Sequence, residues 1–135
     1  MLRRLSHVGI AVNDLAQASA LITRALALQP LDRQAAEQDG VEVVTFDVGG
    51  VRLELMQPTS ADSPVARFLL KHGEGVHHLA FEVDDLASDL ARAQSAGVEA
   101  VDKSPRPGLG GTSVAFLHPK GMLGILTELV GSSPR

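Results

Sequence analysis

Cysteine, tryptophan and tyrosine are absent from this chain of 135 residues, and four phenylalanines make up its aromatic content. Without cysteine there can be no disulfide, no thiolate metal ligand and no cysteine nucleophile. The lack of disulfides fits a reducing compartment. The shortage of aromatic rings disfavours readers of nucleic acid that stack bases on aromatic platforms. A net charge of −4 with no long basic run leaves no electrostatic footprint for DNA or RNA. No apolar run reaches the roughly 20 residues that span a bilayer. The opening Met1-Leu2-Arg3-Arg4 carries two positive charges, but Ser6, His7, Asn13 and Asp14 interrupt the residues after it. A secretory leader needs an unbroken apolar stretch there, so a cytoplasmic protein is expected, with no membrane partner. What is present is 44% hydrophobic residues, enough for one compact domain whose interior is filled by Leu, Val, Ile and Ala.

Leu5–Val12 reads as a buried strand. Asn13-Asp14 offers a helix cap, and Leu15, Ala18, Leu21, Ile22, Ala25 and Leu26 recur at helical spacing until Pro30. A polar connection over roughly Asp32 to Gly40 leads to strands at Val41–Val48 and Val51–Gln57, joined by the hairpin signal Gly49-Gly50. Asp62-Ser63-Pro64 has the order of a cap followed by proline in the first turn, which predicts a short helix to about Leu70, closed near Gly73. Residues Gly131 to Arg135 read as a frayed tail.

Then the pattern starts again. His78-Leu-Ala-Phe-Glu-Val-Asp-Asp-Leu86 echoes His7-Val-Gly-Ile-Ala-Val-Asn-Asp-Leu15, with four of nine positions identical. A second helical pattern runs from Leu86 to Ala96 and ends at Gly97, and strands are expected near Thr112–Leu117 and Gly124–Val130. Ile125-Leu-Thr-Glu-Leu129 echoes Val51-Arg-Leu-Glu-Leu55. The offset is 71 residues between His7 and His78 and 74 between Glu54 and Glu128, so a short insertion separates the copies. The expected fold is therefore α+β: two βαβββ modules forming a half-open, eight-stranded, barrel-like sheet with helices outside. It is expected to be a single domain over 1–135, with module 1 at about 5–58, a linking helix at about 62–73 and module 2 at about 76–131. A half-open sheet of this kind exposes strand edges.

The duplication places one histidine early and one glutamate late in each copy. An internal two-fold would bring His7, Glu54, His78 and Glu128 together. Strand parity puts His78 on the face of Ala80 and Glu82, while His77 points the other way. Two imidazoles and two carboxylates suit a divalent ion of intermediate hardness: Co2+, Mn2+, Ni2+, Zn2+ or Fe2+. Two coordination positions would stay open for a chelating substrate. Singly, each of these residues is better explained by a structural hydrogen bond or a strand edge. As a symmetric set, two glutamates buried among Leu, Val and Ile call for a cation.

The segments His7–Leu15, Leu53-Glu-Leu-Met-Gln-Pro58, Asp62-Ser-Pro-Val-Ala-Arg-Phe-Leu-Leu70, Gly75–Leu86, Phe116-Leu-His-Pro-Lys120 and Gly124-Ile-Leu-Thr-Glu-Leu129 together cover nearly the whole chain. With them the sequence resembles the vicinal oxygen chelate (glyoxalase/bleomycin resistance/dioxygenase) superfamily and, within it, the methylmalonyl-CoA epimerases. The resemblance implies metal ligation at His7, Glu54, His78 and Glu128, with Co2+ the favoured ion; some family members have Gln at the position of Glu54. It implies an isomerase that interconverts (2R)- and (2S)-methylmalonyl-CoA through alpha-proton abstraction and a metal-stabilised enolate. Inversion needs an acid/base group on each side of the alpha carbon. Glu128 is the candidate for one. Some family members supply the other from the strand after the first helix, where this chain has Glu42 displaced by one position, and a one-residue shift reverses the face. A homodimer is expected from the same resemblance.

The family's aromatic pair in the first helix is replaced by Ala20-Leu21. Lys120 is a candidate for an anionic group of an acyl-CoA substrate, against the alternative of a solvated charge. The segment Lys103–Gly111 could offer backbone amides to phosphate, but a mobile connection explains it better. His72 and His77 read as a helix-end and a turn residue. The competing functions are lactoylglutathione lyase, an extradiol dioxygenase, and a metal-free binding or resistance protein of the same fold. Glu54 counts against the dioxygenase, and the inward His/Glu set counts against the binding protein.

Overall fold

A computed structural model describes residues 1–132, apart from the side chain of Ser132. In chain order it contains β1 (Leu2–Ala11), α1 (Leu15–Leu26), β2 (Arg33–Ala36), β3 (Val41–Val48), β4 (Val51–Pro58), α2 (Pro64–His72), β5 (Gly75–Val83), α3 (Leu86–Ser95), β6 (Arg106–Pro107), β7 (Thr112–Leu117) and β8 (Leu126–Ser132). The α+β class and both βαβββ successions are as read from the sequence. Contacts divide the described chain into two compact units, residues 7–77 and residues 1–6 with 78–132, so that β1 contributes to both.

In the unit of residues 7–77 the strand order is β2-β3-β4-β1. β2 and β4 run antiparallel to β3, and β1 runs parallel to β4. The β3–β4 turn is made by Gly49 and Gly50, at φ 61° and 95°, where a side chain would be strained. Asp14 caps α1 by accepting the Gln17 amide at 3.0 Å, and the helix lays Leu15, Ala18 and Ile22 on Val44, Phe46 and Leu55. Ser63 caps α2 by accepting the amides of Val65 and Ala66. That helix covers the other sheet face, where Val65, Phe68 and Leu69 meet Val41, Val43 and Met56.

In the second unit the order is β1-β5-β8-β7-β6, with β5 and β8 parallel and β6, β7 and β8 antiparallel. The first residues of β1 are tied to β5 and its end by ion pairs from Arg4 to Glu82 at 2.8 Å and from Arg3 to Asp84 at 3.0 Å. Asp85 repeats the role of Asp14 by capping α3 through the Ser88 amide, and α3 packs Leu86 and Leu90 on Val83, Ala115, Leu117 and Leu129.

Several boundaries differ from the sequence reading. β1 begins at Leu2 because its two arginines find acidic partners, so a charged stretch completes an apolar strand. β2 and β6 fall in segments read as connections. Both lie at sheet edges, where one missing neighbour removes the pressure for apolar alternation. β8 runs to Ser132 rather than stopping at Val130, so the expected tail is strand at Gly131, which is buried with Leu86 against it. The rest of that tail, residues 133–135, lies outside the described residues. No helix among the described residues is long and apolar enough to cross a membrane.

Candidate active site and metal centre

The two copies build the same local arrangement. β1 and β4 run parallel with Gly9 opposite Glu54, and β5 and β8 run parallel with Ala80 opposite Glu128. In each pair the histidine stands two residues before the small residue that faces the glutamate. Two residues along a strand restore the same face, so imidazole and carboxylate project together over a Gly or an Ala. His7 Nδ1 lies 3.6 Å from Glu54 Oε2, and His78 Nε2 lies 3.2 Å from Glu128 Oε1. Between 5% and 8% of the surface of these four residues is exposed.

That burial carries chemical weight. A carboxylate taken out of water without compensation is costly, so each glutamate needs a cation or strong donors. An imidazole beside each one offers nitrogen next to oxygen, the donor mix that suits ions of intermediate hardness. His7, His78 and Glu128 are buried side chains of the types that hold a metal ion. A guanidinium nitrogen of Arg52 also lies 3.8 Å from Glu54 Oε2. Arg52 precedes Glu54 by two residues on β4 and shares its face. It offsets the extra negative charge of having Glu rather than Gln. Sequence reading missed Arg52, although its i−2 spacing was the available signal.

Glu42 is not brought to the His7–Glu54 pair. Thr45 lies opposite Glu54 in the unbroken β3–β4 register, so residues an odd number of positions from Thr45 face the other way. Glu42 is one of them, on the face that carries Val44 and Phe46, and its carboxylate pairs with Arg33. Lys120 is exposed on the short turn Pro119–Gly121, which His118 caps by accepting the Lys120 amide at Nδ1, 3.0 Å away. His72 stands at the end of α2, and His77 is in β5 rather than in a turn. Both rings lie against Phe68.

On the second unit's sheet, the face turned from α3 carries more than the His78–Glu128 pair. Phe116 lies opposite Glu128, and its ring meets His78 edge-on with 5.7 Å between centroids. The guanidinium carbon of Arg106 lies 5.4 Å from the centre of the Phe116 ring. Asp102 holds this group in place: one oxygen accepts the Arg106 Nε–H at 3.1 Å and the other accepts the Phe116 amide at 2.9 Å. Sequence reading assigned no role to Arg106 or Phe116: Phe116 lay in an expected strand, while the two-residue β6 that carries Arg106 has no recognisable strand pattern.

Comparisons with known proteins identify the family. Residues 6–116 match the Glyoxalase/Bleomycin resistance protein/Dioxygenase superfamily. An uncharacterized Bacillus subtilis protein, YqjC, is 39% identical over 128 residues, which is 95% of this chain and 91% of that one. An ethylmalonyl-CoA/methylmalonyl-CoA epimerase of Cereibacter sphaeroides is 37% identical over 131 residues, covering 96% and 98% of the two chains. Among solved structures, a methylmalonyl-CoA epimerase in complex with methylmalonyl-CoA and NH4+ superposes with a TM-score of 0.92 at 36% identity, covering 99% of this chain and 100% of the other. The chain belongs to the Glyoxalase/Bleomycin resistance protein/Dioxygenase superfamily, and its homologues within it include methylmalonyl-CoA epimerases, which are isomerases.

Proposed function

We propose that the protein is a divalent-metal-dependent epimerase that interconverts (2R)- and (2S)-methylmalonyl-CoA. The observation that carries this reading is the pair of buried His–Glu couples in the same register in both copies, in a chain whose named relatives are such epimerases. His7, Glu54, His78 and Glu128 would hold the ion. Co2+ is the favoured occupant, with Mn2+, Ni2+, Zn2+ and Fe2+ as alternatives. When bound, it would supply positive charge to the oxygens on which the enolate's charge develops.

The chain's own groups do the rest. A hydrogen alpha to both a thioester and a carboxylate is weakly acidic, and a carboxylate within hydrogen-bond reach can remove it. Glu128 takes that role on one side of the alpha carbon. Glu42, the sequence candidate for the other side, is turned to the sheet face opposite Glu54. Glu128 acquires the proton, and a proton delivered from solvent to the opposite face of the alpha carbon inverts the centre. Lys120, exposed on its turn, is assigned to an anionic group of the acyl-CoA. The reading includes a homodimer, to be checked by light scattering, and a cytoplasmic setting, because a CoA thioester is a large anion that does not cross membranes unaided.

The test is incubation with either epimer in D2O with and without added Co2+. Deuterium at the alpha carbon together with interconversion of the epimers is expected, dependent on the ion. Absence of exchange with every one of the five ions would remove the proposal. Lactoylglutathione lyase is not favoured, since the named relatives above act on acyl-CoA.

A further inference from the structure

We infer that Arg106 binds the carboxylate of the acyl group and so selects carboxylated acyl-CoA substrates over plain ones; this rests on the epimerase reading above. Arg106 lies opposite Val114 in the β6–β7 register, Val114 lies opposite Val130, and Phe116 lies opposite Glu128. Antiparallel partners share a face, so Arg106, Phe116 and Glu128 all look out from one side of this sheet. His78 completes the row through its edge contact with Phe116 and its 3.2 Å approach to Glu128. The order on that face is then His78 and Glu128, the Phe116 ring, and the Arg106 guanidinium.

The guanidinium is held rather than loose. Asp102 fixes Nε, the guanidinium carbon stands over the Phe116 ring, 5.4 Å from its centroid, and the side chain is one-third exposed, at 33%. Gly108 enables the turn that sets it there, because a Cβ at that position would stand 2.6 Å from Val114 Cγ1 and 2.7 Å from Thr112 Oγ1. A planar cation held in this way is suited to a carboxylate, whose two oxygens match its forked donors. The substrate class has such a carboxylate one carbon from the thioester carbonyl. The site beside His78 and Glu128 would therefore meet the reacting end of the molecule, and the cation would recognise its second acid group. CoA phosphates are the other anionic source, and they lie at the far end of the substrate.

The experiment measures binding by calorimetry for malonyl-CoA, which carries the carboxylate, and propionyl-CoA, which does not. For Arg106→Met the malonyl-CoA affinity should fall about 10- to 100-fold, the loss of a charge-assisted contact, with propionyl-CoA affinity unchanged within about twofold. Arg106→Lys should recover part of the loss, because the charge remains while the fork does not. Equal weakening of both ligands would assign Arg106 to phosphate or to local structure, and an unchanged malonyl-CoA affinity would leave it without a role; either overturns the inference. Should Arg106→Met fail to fold, Arg106→Lys decides the matter by its own ratio of the two affinities. Alpha-deuterium exchange by the unaltered protein is run alongside. Its absence counts against the epimerase reading, whereas normal exchange with an unchanged affinity ratio counts against Arg106 alone.

Discussion

Replacing Glu128 by Gln keeps the side chain's size and removes one negative charge from a residue that is 8% exposed and 3.2 Å from His78. If His7, Glu54, His78 and Glu128 hold a divalent ion, binding must stabilise the folded chain. An ion at about 100 times its dissociation constant contributes ~2.7 kcal/mol. Unfolding entropy of about 2.1 cal/mol/K per residue comes to ~0.28 kcal/mol/K for a chain of this length. The unaltered protein should therefore melt roughly 10 °C higher with the ion than with chelator. Losing one anionic ligand is expected to weaken ion binding by about 100-fold, since even outer-shell partners are worth 10- to 100-fold. At the same ion concentration the remaining gain is ~0.4 kcal/mol, or about 1.5 °C. In chelator Glu128→Gln should melt close to the unaltered protein, because the amide keeps the side chain's size and its place beside His78. With no Trp or Tyr for intrinsic fluorescence, scanning calorimetry or far-ultraviolet circular dichroism is the assay. His72→Gln, at an exposed histidine, is the control and should keep the full shift. An equal ion-induced shift in Glu128→Gln and the unaltered protein, or no shift in either for any of the five ions, would refute the reasoning.

Other substitutions probe separate parts of the structure. Glu42→Gln breaks an ion pair with Arg33 on the face away from Glu54, so alpha-deuterium exchange should stay within about twofold of normal and stability within ~1 kcal/mol. A large fall in exchange would restore Glu42 as an acid/base. Asp85→Ala removes the cap of α3 and should cost about 1 kcal/mol in urea unfolding, with the slope unchanged. Gly108→Ala forces a methyl group toward Val114 and Thr112 and should cost about 1–3 kcal/mol, read by the same unfolding curves, while weakening malonyl-CoA more than propionyl-CoA.

The repeat itself was legible without coordinates. Side-chain direction in a strand alternates with period two, and matching His and Glu segments in two copies therefore imply matching faces. The structure repeats even the offset, with Gly9 and Ala80 in equivalent places opposite the glutamates. Helix starts were equally readable at Asp14 and Ser63, because a cap acts through amides two or three residues away. The β2 and β6 strands were not, since an edge strand such as Arg33-Gln-Ala-Ala36 is defined by its neighbour rather than by its own pattern.

Sequence alone thus determined the α+β class, the duplication and the matching positions of its His and Glu residues, all consequences of short-range periodicity. Tertiary structure decided what depends on the register between paired strands. It turned Glu42 away from Glu54 and brought the Arg106 guanidinium over the Phe116 ring next to His78. A one-residue slip in pairing moves a side chain to the opposite face of a sheet, and only the folded chain fixes that pairing.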